Sequence, residues 1–166
     1  EHLFVTNTHD TLLFFTNKGK VYSLKGYELP EASRQARGTP IVNLIEVDPG
    51  EKVTALMPVA KFCDDVFVLM ATSGGTVKKT ELSAFANIRR NGLIAVSLAP
   101  GDNLVGVKLV QGEDEVLLVT KDGMSIRFHH DEVRPMGRTA AGVKGIDLES
   151  GDEVVGMDIA RNTADV

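Results

Sequence analysis

Tryptophan is absent from this chain, tyrosine occurs twice, and there is one cysteine, Cys63. A lone cysteine excludes an internal disulfide, so the core must hold the fold, and a reducing compartment suits it. No apolar run exceeds strand length, far short of the roughly 20 residues that span a bilayer. No segment keeps a 3.6-residue hydrophobic period over three turns, which excludes long amphipathic helices; 30–37 allows a short helical turn at most. The chain opens Glu1-His2-Leu3, with neither the basic start nor the small-residue cleavage site of a signal peptide, and without methionine it reads as an excised piece. Catalytic chemistry is also sparse. There is no Gly-x-x-x-x-Gly-Lys phosphate loop, and the glycines around Arg138 and Lys144 read as turns that precede no helix. His9, His129 and His130 lack the Cys or carboxylate spacing of a metal site. Asp64 and Asp65 beside Cys63 disfavour a thiolate nucleophile. Tyr22 and Tyr27 read as packing residues. No catalytic residue, metal or cofactor is assigned.

The 166 residues are 43% hydrophobic and 25% charged, enough for one globular domain with a sizeable core. What fills them is a repeat. An apolar run, a Gly turn and a basic strand recur three times: Leu12–Phe15 before Thr16-Asn17-Lys18-Gly19-Lys20-Val21, Phe67–Ala71 before Thr72-Ser73-Gly74-Gly75-Thr76-Val77-Lys78-Lys79, and Val116–Val119 before Thr120-Lys121-Asp122-Gly123-Met124-Ser125. Each reads as a β-hairpin whose glycine takes the left-handed turn position. Three landmarks follow each hairpin. A Gly-x-x-x-apolar-polar-apolar strand occurs at 38–44, 92–98 and 142–148, extended in the first repeat through Ile45-Glu46-Val47. An acidic Gly turn follows at Gly50, Gly101 and Gly151. A closing strand covers Val53 to Val59, Leu104 to Val110 and Val154 to Ile159. The acidic-turn glycines are 51 and 50 positions apart, within the period of propeller-type repeats. The expectation is an all-β array of four-stranded blades with about 50-residue repeats, at 8–59, 60–110 and 111–160 of one domain. Residues 1–7 read as the closing strand of a preceding repeat, and 161–166 as the start of a following one.

Net charge is −5, which alone argues mildly against a nucleic-acid partner, but the charges are segregated. Bases gather on the hairpins, at Lys18, Lys20, Lys25, Lys78, Lys79, Lys121 and Arg127. They gather again in the loop before the third strand, at Arg34, Arg37, Arg89, Arg90, Arg134, Arg138 and Lys144. Acids collect in the inter-strand turns, at Glu51, Asp102, Asp152 and Glu153, and are expected to lie away from the basic band. Units arranged around an axis would put the bases on one rim, where duplex DNA binds through phosphate contacts and is held bent. Ordinary solvated surface is the competing explanation for any single lysine or arginine; recurrence favours the set, least so in the third repeat, where acids outnumber bases. A protein-interaction propeller without nucleic-acid binding is the alternative function, though WD-type signatures are absent. An enzymatic propeller would need convergent carboxylates or histidines, and there is no such set.

Several phrases closely resemble the C-terminal domain of the A subunit of DNA gyrase. They are Asn7-Thr8-His9-Asp10, Asn17-Lys18-Gly19-Lys20-Val21-Tyr22-Ser23-Leu24-Lys25, Arg37-Gly38-Thr39-Pro40-Ile41-Val42-Asn43-Leu44, Met70 to Thr80, Gly112 to Leu118, and Val133-Arg134-Pro135-Met136-Gly137-Arg138 with Gly142 to Ile146. The likeness runs the whole length and fits gyrase better than topoisomerase IV. It implies a β-pinwheel, a disc of six four-stranded blades in which a hairpin of one blade packs into its neighbour and DNA bends around a basic rim. It further implies a bacterial cytoplasmic, nucleoid-associated parent enzyme, an ATP-hydrolysing type II topoisomerase (DNA gyrase). There the rest of the A subunit, together with the B subunit, would be partners, and wrapping serves negative supercoiling. The site residues it suggests for phosphate contact are Lys18, Lys20, Lys25, Arg34, Arg37, Lys78, Lys79, Arg89, Arg90, Arg127, Arg138 and Lys144. Two departures stand out. Only about three units are present, and the family's first-blade Gln-Arg-Arg-Gly-Gly-Lys-Gly type loop is missing. Arg34-Gln35-Ala36-Arg37-Gly38 and Arg89-Arg90-Asn91-Gly92 look like degenerate equivalents, and the signature itself is expected before Glu1.

Overall fold

Thr11–Thr16 (β1) is buried at every position, which an alternating strand achieves only if both of its faces are covered. Leu13 and Phe15 point to one side with Val21, Val68, Met70 and Phe85. Leu12 and Phe14 point to the other with Tyr22 and Ile45. Phe67–Thr72 (β4) divides its residues the same way, Val68 and Met70 joining the first cluster and Leu69 and Ala71 a third one. The cores therefore lie between sheets, and each apolar strand serves two of them.

The computed structural model describes residues 3–161. Besides β1 and β4 its strands are β2 (Lys20–Lys25), β3 (Val53–Val59), β5 (Thr76–Glu81), β6 (Leu93–Ile94), β7 (Leu104–Val110), β8 (Glu115–Thr120), β9 (Ser125–His129), β10 (Val143–Lys144) and β11 (Val154–Ala160). They form sheets ordered β3-β1-β2-β6, β10-β5-β4-β7 and β11-β8-β9, with every ladder pairing antiparallel. The closing strands form the inner layer, β7 lying against both β3 and β11. The fold is the all-β blade array that the repeats predict. No helix among the described residues is long and apolar enough to cross a membrane.

One feature of the topology was not legible from periodicity. The fourth strand of a sheet comes from the following repeat. Lys20 of β2 pairs with Ile94, and Thr76 of β5 pairs with Lys144. The second and third repeats thus each lend a short outer strand to the sheet before it. Three expectations change accordingly. Residues 38–44, the first-repeat counterpart of β6 and β10, form no strand; they make a 3-10 turn at Ile41–Asn43. Ile45-Glu46-Val47 is not strand either, and Ile45 packs on Leu12, Phe14 and Tyr22. Residues 3–7 form no strand, while Glu1, His2 and 162–166 lie outside the described residues. A short outer strand exists only through its ladder, and among the described residues none of these segments has an edge to join.

The hairpin glycines receive the exchanged strand. Ala95 N–H donates to Gly19 O and Gly145 N–H to Gly75 O, each at 2.8 Å. Gly19 has φ +75°, and a Cβ on it would lie 2.5 Å from the Val96 carbonyl oxygen. Gly123, at φ +86°, has open space instead. Gly123→Ala should therefore cost only left-handed strain, about 1–2 kcal/mol of unfolding free energy. Gly19→Ala should cost clearly more, because the exchanged segment must also shift. Equal costs in urea unfolding would mean that the exchange contact does not constrain the sheet.

Candidate nucleic-acid interface

The loops that carry the exchanged strands to the outer edge also carry arginines. Arg89 and Arg90 precede β6, and Arg134 and Arg138 precede β10; the equivalent loop of the first repeat holds Arg34 and Arg37. The extended chain of these loops makes few backbone hydrogen bonds, and it presents long side chains to solvent. Arg34, Arg37, Arg89, Arg90 and Arg134 are exposed and Arg138 is half-buried. Among the described residues, no side-chain hydrogen bond or ion pair engages their guanidinium groups. Lys18, exposed in the first hairpin turn, is in the same condition.

The remaining predicted cations divide differently. Lys20 pairs with Asp48 and Lys144 with Asp147. Arg127 lies 3.5 Å from Glu115, and Lys25 donates to Thr11 Oγ1 at 2.8 Å. These four stay at the surface with part of their charge already answered.

Lys78 and Lys79 do not reach the surface at all. Both are on β5 and are 0% and 1% exposed, so the structure places them behind the rim instead of on it. The pleat sends them to opposite interfaces. Lys78, opposite Met70, faces the first sheet; Lys79, opposite Leu69, faces the third. Lys78 Nζ donates to Ala95 O at 2.7 Å and to Arg138 O. Lys79 Nζ donates to His130 O at 2.9 Å, lies 3.2 Å from His130 Nδ1 and 3.1 Å from Asp131 Oδ1, and sits 4.9 Å above the Phe67 ring. A buried ammonium needs such acceptors to offset its lost hydration. The sequence signal Lys-Lys could not show this, because alternation in a strand covered on both faces buries both residues. His129, His130 and Asp131 converge as metal ligands can, but the Lys79 ammonium already sits on two of them. That ammonium holds the Asp131 carboxyl below its usual range.

Burial, with the Arg138 charge second, pushes Lys78 down from 10.5 to about 8, while its carbonyl acceptors act in the opposite sense. The folded-state value lies below the unfolded one. Between pH 8 and 10.5 the unfolded chain binds a proton that the folded chain has released, so stability rises with pH across that window. Urea midpoints should climb over this range for the natural chain relative to Lys78→Met; a parallel course would refute the burial penalty.

The acids are also not where segregation predicted. They fold onto the hairpin turns. Glu51 accepts from Thr16 Oγ1 at 2.7 Å, Tyr22 OH at 2.8 Å and Asp48 N–H at 2.7 Å. Asp102 accepts from Ser73 Oγ and Gly74 N–H, both at 2.8 Å, and Asp152 from Asp122 N–H at 3.1 Å. These side chains tie the acidic turn to the neighbouring hairpin, as backbone bonds from Asn17, Ser73 and Lys121 also do. The turn end of each sheet is thus of mixed charge, while the arginines of the outer-edge loops stay without an acidic partner among the described residues.

Known proteins share this fold. A family model for the DNA gyrase C-terminal domain, beta-propeller, matches residues 10–60, 67–111 and 114–161. The DNA gyrase A subunit of Halalkalibacterium halodurans is 54% identical over 146 residues, which is 88% of this chain and 18% of that protein. Its Salmonella typhimurium counterpart is 52% identical over 161 residues, 97% of this chain and again 18% of the relative. The C-terminal domain of DNA topoisomerase IV superposes with a TM-score of 0.88 at 36% identity, covering 95% of this chain and 49% of that one. The DNA gyrase A C-terminal domain gives 0.73 at 27% identity, with 92% and 48% covered. The chain therefore spans 18% of the length of these full-length relatives and about half of each solved domain.

Proposed function

Since this chain belongs to the DNA gyrase C-terminal domain family, we propose that it is a non-catalytic module that binds double-stranded DNA without sequence specificity and bends it. In the parent enzyme, with the rest of the gyrase A subunit plus the B subunit, it would present the wrapped segment for ATP-dependent negative supercoiling in the bacterial cytoplasm. One observation carries this reading. The outer-edge loops repeat a set of guanidinium groups that nothing in the described structure neutralises. Such a band attracts the phosphate backbone and releases its counterions, without reading bases. Arg34, Arg37, Arg89, Arg90, Arg134 and Arg138 are its members, and Lys18, exposed in the first hairpin turn, is a further free cation among the described residues; Lys20, Lys25, Arg127 and Lys144 are flanking cations that acids or hydroxyls already engage.

The test is fluorescence energy transfer between the labelled ends of a linear duplex, with the chain added over a salt series. Binding that brings the ends together and weakens steeply with salt is the expected result. A folded chain that leaves the ends apart at low salt would overturn bending, and one that fails to bind there would favour a protein partner for the rim.

A further inference from the structure

We propose that Lys78 is a positioning residue for the DNA-facing loop that holds Arg138, acting from behind through the loop's backbone; this rests on the DNA-binding reading above. Lys78 is the third residue after its hairpin glycine, and its ammonium reaches two partners from different repeats. Ala95 O follows β6, the strand lent to the first sheet, and Arg138 O belongs to the loop that leads to β10. One buried cation therefore cross-links the outer-edge segments of two successive repeats. From the solvent side, Ser97 Oγ donates to Thr139 O at 3.1 Å, so adjacent carbonyls of the Arg138 loop are held by Lys78 and by the segment that follows β6.

The equivalent position in the first sheet has the same place with different chemistry. Tyr22 is also third after its glycine, is 1% exposed, and lies under the loop of Arg89 and Arg90. A Cβ on Gly92 would sit 2.7 Å from its ring. In the third sheet the counterpart is Ile126; among the described residues no arginine loop crosses it, and it is 38% exposed. The position is buried where an arginine loop crosses it and open where none does. The lysine is the version that fixes its loop by directed hydrogen bonds, and a charged donor on a carbonyl makes such bonds stronger than neutral ones. The nearness of the Arg138 guanidinium, which helps push Lys78 toward about 8, is consistent with an ammonium set directly behind the phosphate-facing group.

Lys78→Met, Arg138→Ala and the double variant should be compared with the natural chain for DNA affinity over a salt series, with amide exchange of Thr139 and Ala140 measured without DNA. A direct phosphate contact changes affinity by roughly 3.5-fold over a fourfold salt range, a slope of about 0.9. If Lys78 acts through the loop, the double variant loses about one contact's worth of slope, no more than Arg138→Ala alone, and Lys78→Met speeds exchange at Thr139 and Ala140. A double-variant loss of about two contacts would make Lys78 a phosphate ligand and overturn the proposal. Unchanged affinity with unchanged exchange would overturn it as well. Should Lys78→Met not fold, Ser97→Ala, an exposed change, loosens the same loop and must show the same non-additivity with Arg138→Ala. If the natural chain binds no DNA, the functional reading fails, and the exchange measurement still decides whether Lys78 fixes the loop.

Discussion

Replacing Arg89, Arg90 and Arg138 together by alanine should flatten the salt dependence of DNA binding by about 2.7 in slope, since each phosphate contact contributes about 0.9. Over a fourfold rise in salt, the natural chain would then lose roughly 40-fold more affinity than the triple variant. The loss should be the same on every duplex sequence, because phosphate contacts carry no base information. The matched control removes Lys20, Arg127 and Lys144. Each of these already faces Asp48, Glu115 or Asp147, so a phosphate must compete with a carboxylate for it. Their removal should flatten the slope by clearly less. A control that matched the arginine variant would mean that compensation by acids does not sort the cations. Folding is not at stake in the comparison: the two Arg89 and Arg90 side chains are exposed, and Arg138 serves the fold through its backbone oxygen.

Glu51→Ala should be the most destabilising single change on the turn side, by about 3 kcal/mol or more. Glu51 is 9% exposed, and its carboxylate collects the Thr16 hydroxyl, the Tyr22 phenol and the Asp48 amide. Truncation strands these donors, at about 1–3 kcal/mol for each one left dry. It also removes the tie between β1, β2 and the turn before β3. Burial and this carboxylate keep the Tyr22 phenol protonated well above its ordinary range, so ionisation of the phenol does not break the bond at neutral pH. Tyr22→Phe alone should cost about 1 kcal/mol, and almost nothing when added to Glu51→Ala. Additive costs in urea unfolding would sink the claim that the two groups form one unit.

Much of the architecture could be read from residue types because a hairpin declares itself locally. An apolar run, a Gly turn and a basic return strand require only near neighbours, and the closing strands at Val53, Leu104 and Val154 begin where their acidic turns end. The site was less legible. Lys78 and Lys79 look like Lys20 and Lys144 in sequence, yet two covered faces bury them, and which faces are covered depends on sheets formed by distant residues. Glu51, Asp102 and Asp152 read as solvated turn acids because the hydroxyls and amides they bind lie about 30 positions earlier. The triplet Val42-Asn43-Leu44 matched Val96-Ser97-Leu98 and Ile146-Asp147-Leu148, yet no repeat makes a strand there; the outer strands form just before it, at Leu93-Ile94 and Val143-Lys144, where the first repeat has Thr39-Pro40 and the proline has no N–H to give a ladder. The family likeness placed the chain near the A subunit of gyrase. Relatives at about 50% identity agree, while the topoisomerase IV domain shows that the same blade plan is shared more widely.

Strand exchange imposes a timetable on a chain made from one end. Lys20 waits 74 positions for its ladder partner Ile94, and Thr76 waits 68 for Lys144. At ~5–20 residues per second, a ribosome leaves the outer edge of the first sheet open for about 4–15 s. At every moment of synthesis the newest hairpin is the incomplete one, and its basic strand is the edge exposed to other nascent chains. A gene that lost one repeat would shorten the array and would also leave the preceding sheet to accept an outer strand from whichever repeat came next, so units can be dropped or duplicated only if those lent strands are interchangeable. Leu93-Ile94 and Val143-Lys144, two residues each, are short enough to meet that condition.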